Sequence, residues 1–481
     1  MKKIFIIGSG FSSISASTYL AKKGHKVTVF EKNSSIGGRA RQFKKDGFTF
    51  DIGPSWYWMP DVFESYFNDF GKKVSDYYKI DKLNPAYEIY FNTLDSVKIG
   101  DSLEKICKEF DRIEPGSGSV LKKFMRKAEK HYEIAVKDMV YKPGISPLEL
   151  VNKKTIVRLK YFLTNIKKEV EKYFKNEKLS QILQFPVLFL GAKPSNTPAF
   201  YNFMNHADFG LGTWHPKKGM YSVIEGMRKL AEEIGVSFKT NQNVEKIIVN
   251  QKSAIGIVVN GEEKYCDVII SGADYHHTES LLEEKFRSYD ESYWERKTFA
   301  PSSLLFFVGL NKKIEKVSHH TLFFDVDFDL HASEIYDNPK WPSNPLFYGN
   351  FPSITDPSMA PTGKEACFFL VPIAPGISDS EKTREKYFEI IIKRLEKLTN
   401  QSIEDFILFK ESFCVNDFEK EYNSYKGNAY GLANTLKQTA FLRPKMISKK
   451  VKNLYFTGQL TVPGPGVPPS IISGKIVSDL I

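Results

Sequence analysis

Apolar and polar positions follow three regimes along this chain. The first forty residues open on an apolar run, Lys3-Ile4-Phe5-Ile6-Ile7, then Gly8-Ser9-Gly10, then a stretch of small residues whose large apolar members are Ile14 and Leu20. A second apolar run, Val27-Thr28-Val29-Phe30, ends on Glu31. Short apolar runs of this kind read as buried strands, and the segment between them reads as a helix over Phe11 to Lys23. Two lysines before Gly24 put cations at its negative end, where a helix stops.

From Leu103 to Phe174 the apolar period lengthens to three and four, the mark of helices. The clearest piece is Thr155 to Phe174, where Ile156, Leu159, Leu163, Ile166, Val170 and Phe174 make one stripe. Lys153, Lys154, Arg158, Lys160, Lys167, Lys168, Lys172 and Lys175 surround it. A basic amphipathic helix lies either in a lipid interface or on a bundle with a solvated lysine face, and both readings stay open. Helix and strand alternate again from Pro216 to Ser271: a helix over Tyr221 to Ala231, then strands at Val236 to Lys239, Asn243 to Ile247, Gly256 to Val259 and Cys266 to Ser271. Residues 275–440 mix strands (Ser303 to Val308, Ala366 to Val371) with a helix near Thr383 to Leu398. The end is a strand at Asn453 to Gln459, a turn rich in glycine and proline, and a last helix with proline at its start.

The opening strand, glycine turn, helix, strand and terminal acid form a dinucleotide-binding unit. Gly8 allows the tight turn, Gly10 lets backbone amides approach a pyrophosphate, and the positive helix end near Phe11 faces it. Glu31 lies about 20 residues on, where a carboxylate takes the adenosine ribose hydroxyls. The third position of the glycine pattern is Ser13, small enough for close packing. Gly37-Gly38-Arg39 then offers a second backbone approach and a cation near phosphate, which a nicotinamide site does not usually need.

At 481 residues the chain divides into two or three lobes. Aromatic residues reach 14%, with 38 Phe and 24 Tyr, which points to a large apolar interior or a lined tunnel. Rings crowd residues 55–70, from Trp56-Tyr57-Trp58-Met59-Pro60 to Phe70, as channel wall or as plain core. Cys107, Cys266, Cys367 and Cys414 are scattered without a C-x-x-C pair, which fits a reduced, cytoplasmic chain and no metal site. The apolar run Ile4 to Ile7 is too short for a secretory signal, and no stretch reaches the ~18 apolar residues of a spanning helix. The net charge of +11 favours anionic surfaces. No nucleic-acid module accompanies it, so the expectation is a lipid surface and no nucleic acid.

Glu31 followed by Gly37-Gly38-Arg39 resembles the FAD-dependent amine oxidase-like flavoproteins. Adding Gly8-Ser9-Gly10-Phe11, Glu31-Lys32, Arg39-Ala40, Phe50-Asp51-Ile52-Gly53-Pro54-Ser55 and Thr457-Gly458 through Gly474, the chain resembles the bacterial carotenoid desaturases, phytoene desaturases above all. The Pro463-Gly464-Pro465-Gly466-Val467-Pro468 turn is the most specific of these motifs. The resemblance implies an α/β fold: a Rossmann-type FAD-binding domain (1–70, 216–274 and 447–481), a mixed-sheet substrate domain (71–102 and 275–446), and a helical, membrane-contacting subdomain (103–215). It implies FAD as cofactor, held at Gly8, Gly10, Phe11, Ser12, Glu31 and Lys32, at Gly38, Arg39, Gly53, Pro54 and Ser55, at Val244 beside the adenine, and at Gly458, Val467 and Pro468.

The implied activity is successive desaturation of phytoene, a C40 polyene, toward lycopene by a peripheral membrane enzyme, with the electron acceptor left open. No acid–base constellation stands out. His206, Asp208, His276 and His277 are candidates whose surface or core roles are the simpler reading. Two alternatives remain: another flavin oxidoreductase of this fold (a later-step carotenoid desaturase, an isomerase or an amine oxidase), and a non-catalytic prenyl-binding protein that has lost the flavin. Intact Glu31, Gly37-Gly38-Arg39 and the terminal glycines argue against the second.

Overall fold

Strand β1 (Lys3–Ile7), helix α1 (Phe11–Lys22) and strand β2 (Lys26–Phe30) form where the apolar pattern places them. The computed structural model describes residues 1–150, 155, 158–435 and 437–481, the side chains of Leu150, Leu159, Phe189 and Leu190 apart. β1 lies at the centre of a five-stranded parallel sheet in the order Leu454–Phe456, Val268–Ser271, β1, β2, Ser237–Lys239. Its strands come from the start, the middle and the end of the chain, so this layer is complete only with the last strand in place.

The small residues of α1 have a packing reason. The last helix, Val467–Asp479, crosses α1 so closely that a Cβ on Gly474 would stand 2.4 Å from the Ser12 carbonyl oxygen, and Ser15 Oγ donates to Ile471 O at 2.7 Å. Ser13, in the place of the third glycine, lies against Gly272, where a Cβ would stand 2.1 Å from Ser13 Oγ. Glycine on the strand side supplies the clearance that serine removes on the helix side.

A seven-stranded mixed sheet stands apart from the first, in the order Ile407–Phe413, Ser302–Leu310, Glu365–Ile373, Phe347–Asn350, His320–Phe323, Tyr87–Asn92, Asp95–Ile99. Thr321 to Phe323 pair parallel with Glu88 to Tyr90, whereas the other neighbours are antiparallel. A three-stranded antiparallel sheet, Val244–Asn250, Ser253–Val259 and Glu262–Tyr265, flanks the nucleotide sheet. Asp51 links two pieces of chain: its carboxylate accepts from Met220 N (2.7 Å) and Tyr221 N (3.2 Å) at the start of helix Tyr221–Glu233. Burial raises its pKa to about 6 although these donors oppose the shift.

Between Leu103 and Gly210 the described residues are mainly helical, led by Leu103–Ile113 and Ser117–Ile134. The expectation of one helix over Thr155 to Phe174 is corrected here. Helix Leu159–Phe162 stops, and Asn165 starts another, Ile166–Glu171, by accepting from Lys168 N at 2.9 Å. Asparagine is a strong N-cap, and the cap inside the periodic stretch outweighs the stripe. Lys153, Lys154 and Ile156 lie outside the described residues. Ile166, Val170 and Phe174 are buried against protein, so that part of the stripe faces the core and not lipid. Lys167 pairs with Asp329 (2.7 Å) and Lys172 with Glu169 (2.9 Å). Among the described residues no helix is long and apolar enough to cross a membrane.

Candidate active site

The turn after β1 and the turn after Glu31 meet back to back. Gly38 adopts φ +55°, and a Cβ there would stand 3.3 Å from Gly10 Cα. A Cβ on Gly10 would meet nothing within 4 Å, so its bare backbone edge faces open space. Gly53 approaches the other side of the same loop, where a Cβ would stand 2.3 Å from Arg39 O. Gly10 is also the N-cap of α1 and makes no side-chain cap, so the first amides of the helix are free for an anion.

Glu31 is buried and closes the cradle. Its Oε2 accepts from Ser9 N (3.1 Å) and Ser9 Oγ (2.6 Å), and its Oε1 from Asn33 N (2.9 Å). Lys32 Nζ donates to Lys420 O (2.7 Å) and Asn423 Oδ1 (3.1 Å), and burial lowers its pKa. Arg39 Nη2 donates to Ser424 Oγ (2.6 Å) and Asn428 O (3.2 Å), while its buried Nε has no partner among the described residues. Burial lowers the guanidinium's pKa and the nearby Asp274 carboxylate opposes that shift. A glycine cradle, a fixed carboxylate acceptor and a guanidinium N–H donor fit the diphosphate and ribose hydroxyls of FAD.

Gly8, Gly10, Phe11, Ser12, Glu31, Lys32, Gly38, Arg39, Gly53, Pro54, Ser55, Val244, Gly458, Val467 and Pro468 all border one cavity of about 580 Å³. Beyond the cradle the same cavity is walled by Trp56, Trp58, Met59, Phe185, Phe200, Phe203, Leu305, Phe324 and Tyr348. The ring cluster at 55–70 therefore divides. Trp56 and Trp58 face the cavity, whereas Tyr57 stacks on Phe63 (4.1 Å) and joins Tyr66 and Phe67 in the core.

The titratable candidates also divide. His276 pairs with Glu291 at 2.9 Å on a partly exposed edge. His277 borders the cavity near Lys32, shares a 3.0 Å contact with Asn423, and is held neutral by burial, its pKa lowered to about 4. His206 leans on Tyr132. Asp208 is buried outside the cavity, accepts from Tyr87 OH at 2.7 Å, and is pushed up to about 8 by burial. Sequence reasoning passed over Tyr348 and His320. Tyr348 borders the cavity, takes a 2.9 Å contact with Ser55 Oγ, and lies 2.6 Å from His320 Nδ1. The adjacent pair His319-His320, just before the apolar run Leu322-Phe323-Phe324, was the available signal.

The profile of the family described as "Flavin containing amine oxidoreductase" matches residues 12–481. A carotenoid 3,4-desaturase from Haloarcula japonica is 40% identical over 482 residues, 99% of this chain and 97% of the relative. A 4,4'-diapophytoene desaturase (4,4'-diaponeurosporene-forming) from Staphylococcus haemolyticus is 32% identical over 99% of this chain and 98% of the relative. The crystal structure of an oxidoreductase from Methanosarcina mazei superposes with a TM-score of 0.64 at 16% identity, over 99% of this chain and 100% of the other, and shares the fold. With its glycine cradle, ribose-side carboxylate and dinucleotide sheet, the chain belongs to the flavin containing amine oxidoreductases, as an FAD-dependent oxidoreductase of the carotenoid desaturase group.

Proposed function

We propose that this enzyme introduces a carbon–carbon double bond into a carotenoid, at the C3–C4 bond of an acyclic, already conjugated chain. The observation that carries the reading is the continuity of one cavity from the FAD cradle into a chamber walled by aromatic and aliphatic side chains. A long hydrocarbon needs apolar walls and depth, and a polar amine would leave its charge without a partner there. The 40% identity to a carotenoid 3,4-desaturase supports the choice of bond. The second reading is phytoene, desaturated toward lycopene, and the 32% identity to a diapophytoene desaturase favours it.

FAD, when bound, accepts the hydride. In this reading Gly10, Phe11 and Ser12 offer amides to its diphosphate, and Glu31 takes the ribose hydroxyls. Arg39 and Lys32 supply positive charge, and Val244 flanks the adenine. Gly53, Pro54 and Ser55 would line the flavin end of the site, and Gly458, Val467 and Pro468 would turn the positive N-terminus of the last helix toward the flavin. Hydride loss from an allylic carbon leaves positive charge in the hydrocarbon, which the faces of Trp56 and Phe185 stabilise. We keep the three-part domain division given above as part of this proposal.

We also infer that the cavity mouth rests on lipid. Ile145, Leu148, Leu163 and Leu442 are exposed at 58%, 75%, 75% and 41%. Their chain neighbours Gly144, Phe162 and Phe441 border the cavity. Lys445 Nζ ties two of these loops by donating to Gly144 O (2.7 Å) and Phe441 O (2.9 Å). Loops, and not a continuous lysine helix, form this docking surface.

The test is incubation of the FAD-loaded protein with liposomes carrying lycopene or phytoene and an electron acceptor. A red shift of the polyene spectrum with lycopene supports the C3–C4 reading. Reaction of phytoene alone overturns it in favour of the second. A purified protein without flavin absorbance, unable to take up FAD, removes both in favour of a prenyl-binding role.

A further inference from the structure

Making one double bond removes a hydride and a proton from adjacent carbons. FAD accounts for the hydride and its electron pair, and the proton needs an acceptor in the protein. Resting on the carotenoid reading above, we propose that Tyr348 and His320 form the proton relay of this enzyme. Tyr348 faces the substrate, and His320, one hydrogen bond behind, is the positioning residue that receives the proton.

The geometry sets the direction of the relay. Asn350 Nδ2 lies 3.2 Å from the His319 carbonyl oxygen, which can only accept, so the amide nitrogen is fixed on that side. The same nitrogen lies 3.2 Å from His320 Nδ1, which must then also accept. His320 is therefore the tautomer with its proton on Nε2, and Tyr348 OH donates to Nδ1 at 2.6 Å. With its own proton committed, Tyr348 oxygen accepts from Ser55 Oγ at 2.9 Å. Ser55 and Tyr348 both border the cavity; the Trp56 and Asn350 side chains also hydrogen-bond the Tyr348 hydroxyl, so Ser55 Oγ is the member of this chain through which a proton from the chamber reaches it.

The surroundings hold the pair in place. Leu322 pairs with Tyr348 across the sheet, and His320 with Asn350, which sets the hydroxyl beside the imidazole. Trp56 stacks on the His320 ring at 4.1 Å and 10°, and separates it from the chamber. His320 Nε2 is buried without a partner among the described residues. A phenylalanine would fill this place with no such unmet donor, so packing alone does not account for a histidine.

The step balances. A substrate C–H bond next to the electron-deficient carbon breaks, its electron pair becomes the new π bond, and its proton passes to Tyr348 oxygen through Ser55 Oγ. The Tyr348 proton moves to His320 Nδ1 and gives an imidazolium. The other titratable groups around it are His319, with ring centroids 4.5 Å away, and His215, 4.6 Å from His319 and 3.2 Å from Asp356. Burial works against the Asp356 charge, but donors from His215, Ser358 and Lys218 N outweigh it and keep its pKa low, so one anion stands in the cluster. Burial keeps His320 neutral and weakens it as a base. A weak base suffices, because a proton beside an allylic cation is strongly acidic.

Two measurements on FAD-loaded protein test the relay. The first needs no turnover: ¹⁵N-histidine NMR should find His320 as the neutral Nε2–H tautomer, with an Nδ1 shift that changes in Tyr348→Phe. An Nδ1–H tautomer points the relay the wrong way and overturns the proposal. The second follows flavin bleaching with lycopene in phosphatidylcholine liposomes, deuterated at C3 or at C4. Wild type should show its main isotope effect at one carbon. Tyr348→Phe and His320→Phe should each bleach about 100-fold more slowly, at the low end of general acid–base catalysis, and should bring a new isotope effect at the other carbon. Normal flavin content and melting temperature must accompany the loss. An unchanged isotope pattern, or a loss that tracks flavin content, overturns the relay and leaves Tyr348 a packing residue. If wild type bleaches with phytoene and not with lycopene, the C3–C4 reading falls, and deuterated phytoene puts the relay to the same comparison.

Discussion

Removing the Glu31 carboxylate should weaken FAD binding by an amount that the surrounding hydrogen bonds predict. Three protein donors already point at it, Ser9 N at 3.1 Å, Ser9 Oγ at 2.6 Å and Asn33 N at 2.9 Å. In Glu31→Ala a charge-assisted hydrogen bond to the ribose, about 1.5–3 kcal/mol, disappears, which corresponds to a roughly 10- to 150-fold rise in Kd. The same change strips the Ser9 and Asn33 amides of their acceptor, at about 1–3 kcal/mol for a buried donor left unmet. Glu31→Gln separates the two effects. One amide oxygen still accepts from both Ser9 donors while the amide nitrogen faces Asn33 N, so the apoprotein should lose less stability than Glu31→Ala does, while the loss of charge should raise Kd about tenfold. Titration of apoprotein with FAD, read by flavin fluorescence quenching, gives Kd, and calorimetry without FAD gives the melt. If Glu31→Ala lowers the apoprotein melt but binds FAD with wild-type Kd, the carboxylate only braces the Gly8-Ser9-Gly10 turn and the ribose assignment fails.

Two further outcomes follow from particular residues. Replacing Ile145, Leu148 and Leu442 with Asp should abolish sedimentation with liposomes, whereas reversing Lys167, Lys168, Lys172 and Lys175 should reduce it only with anionic lipid at low salt; equal effects in neutral lipid would refute loop docking. Asp208, raised to about 8 in the fold against about 3.9 in an unfolded chain, holds a proton after folding that the unfolded state loses. Stability should therefore fall as pH rises from about 4 to 8, by up to about 1.4 kcal/mol per unit. Asp208→Asn keeps an acceptor for Tyr87 and should remove that slope, so its stability gain in urea should be near zero at pH 4 and largest near pH 8; a gain independent of pH would refute the burial argument.

The nucleotide sheet was legible because its central strands are short, mostly apolar runs and its turns need glycine for backbone reasons. Lys3 to Ile7 and Val27 to Phe30 meet this description, and so does Cys266 to Ser271, of which Val268–Ser271 forms the strand. The seven-stranded sheet was only half legible. Glu365–Ile373 and Ser302–Leu310 are long and apolar, but His320–Phe323 and Phe347–Asn350 carry His, Thr and Asn and gain strand character only from their neighbours. The stripe from Ile156 to Phe174 misled for a related reason. Helical spacing records which residues are apolar at regular steps, and a single capping side chain, Asn165, redirects the backbone without disturbing those steps.

The site divides by the same physics. Where a ligand touches backbone, only glycine clears it, and so Gly10, Gly38 and Gly53 announce themselves in the sequence. Where a ligand touches an apolar wall, Trp, Phe, Leu and Met serve alike, and nothing in the chain separates Trp56, which faces the cavity, from Tyr57, which faces the core. A strand-like alternation across three residues decides that difference, and the left-handed turn at Met59 that follows keeps it from extending. The relay was hidden by distance. Ser55 and Tyr348 are 293 positions apart, and Tyr348 and His320 are 28 apart; only the register of two antiparallel strands against the loop after Gly53 brings hydroxyl, phenol and imidazole into line. Chemistry assembled by register leaves no spacing to read, which is why a chain with a plain cofactor signature offered only the His319-His320 pair as a pointer to where its proton goes.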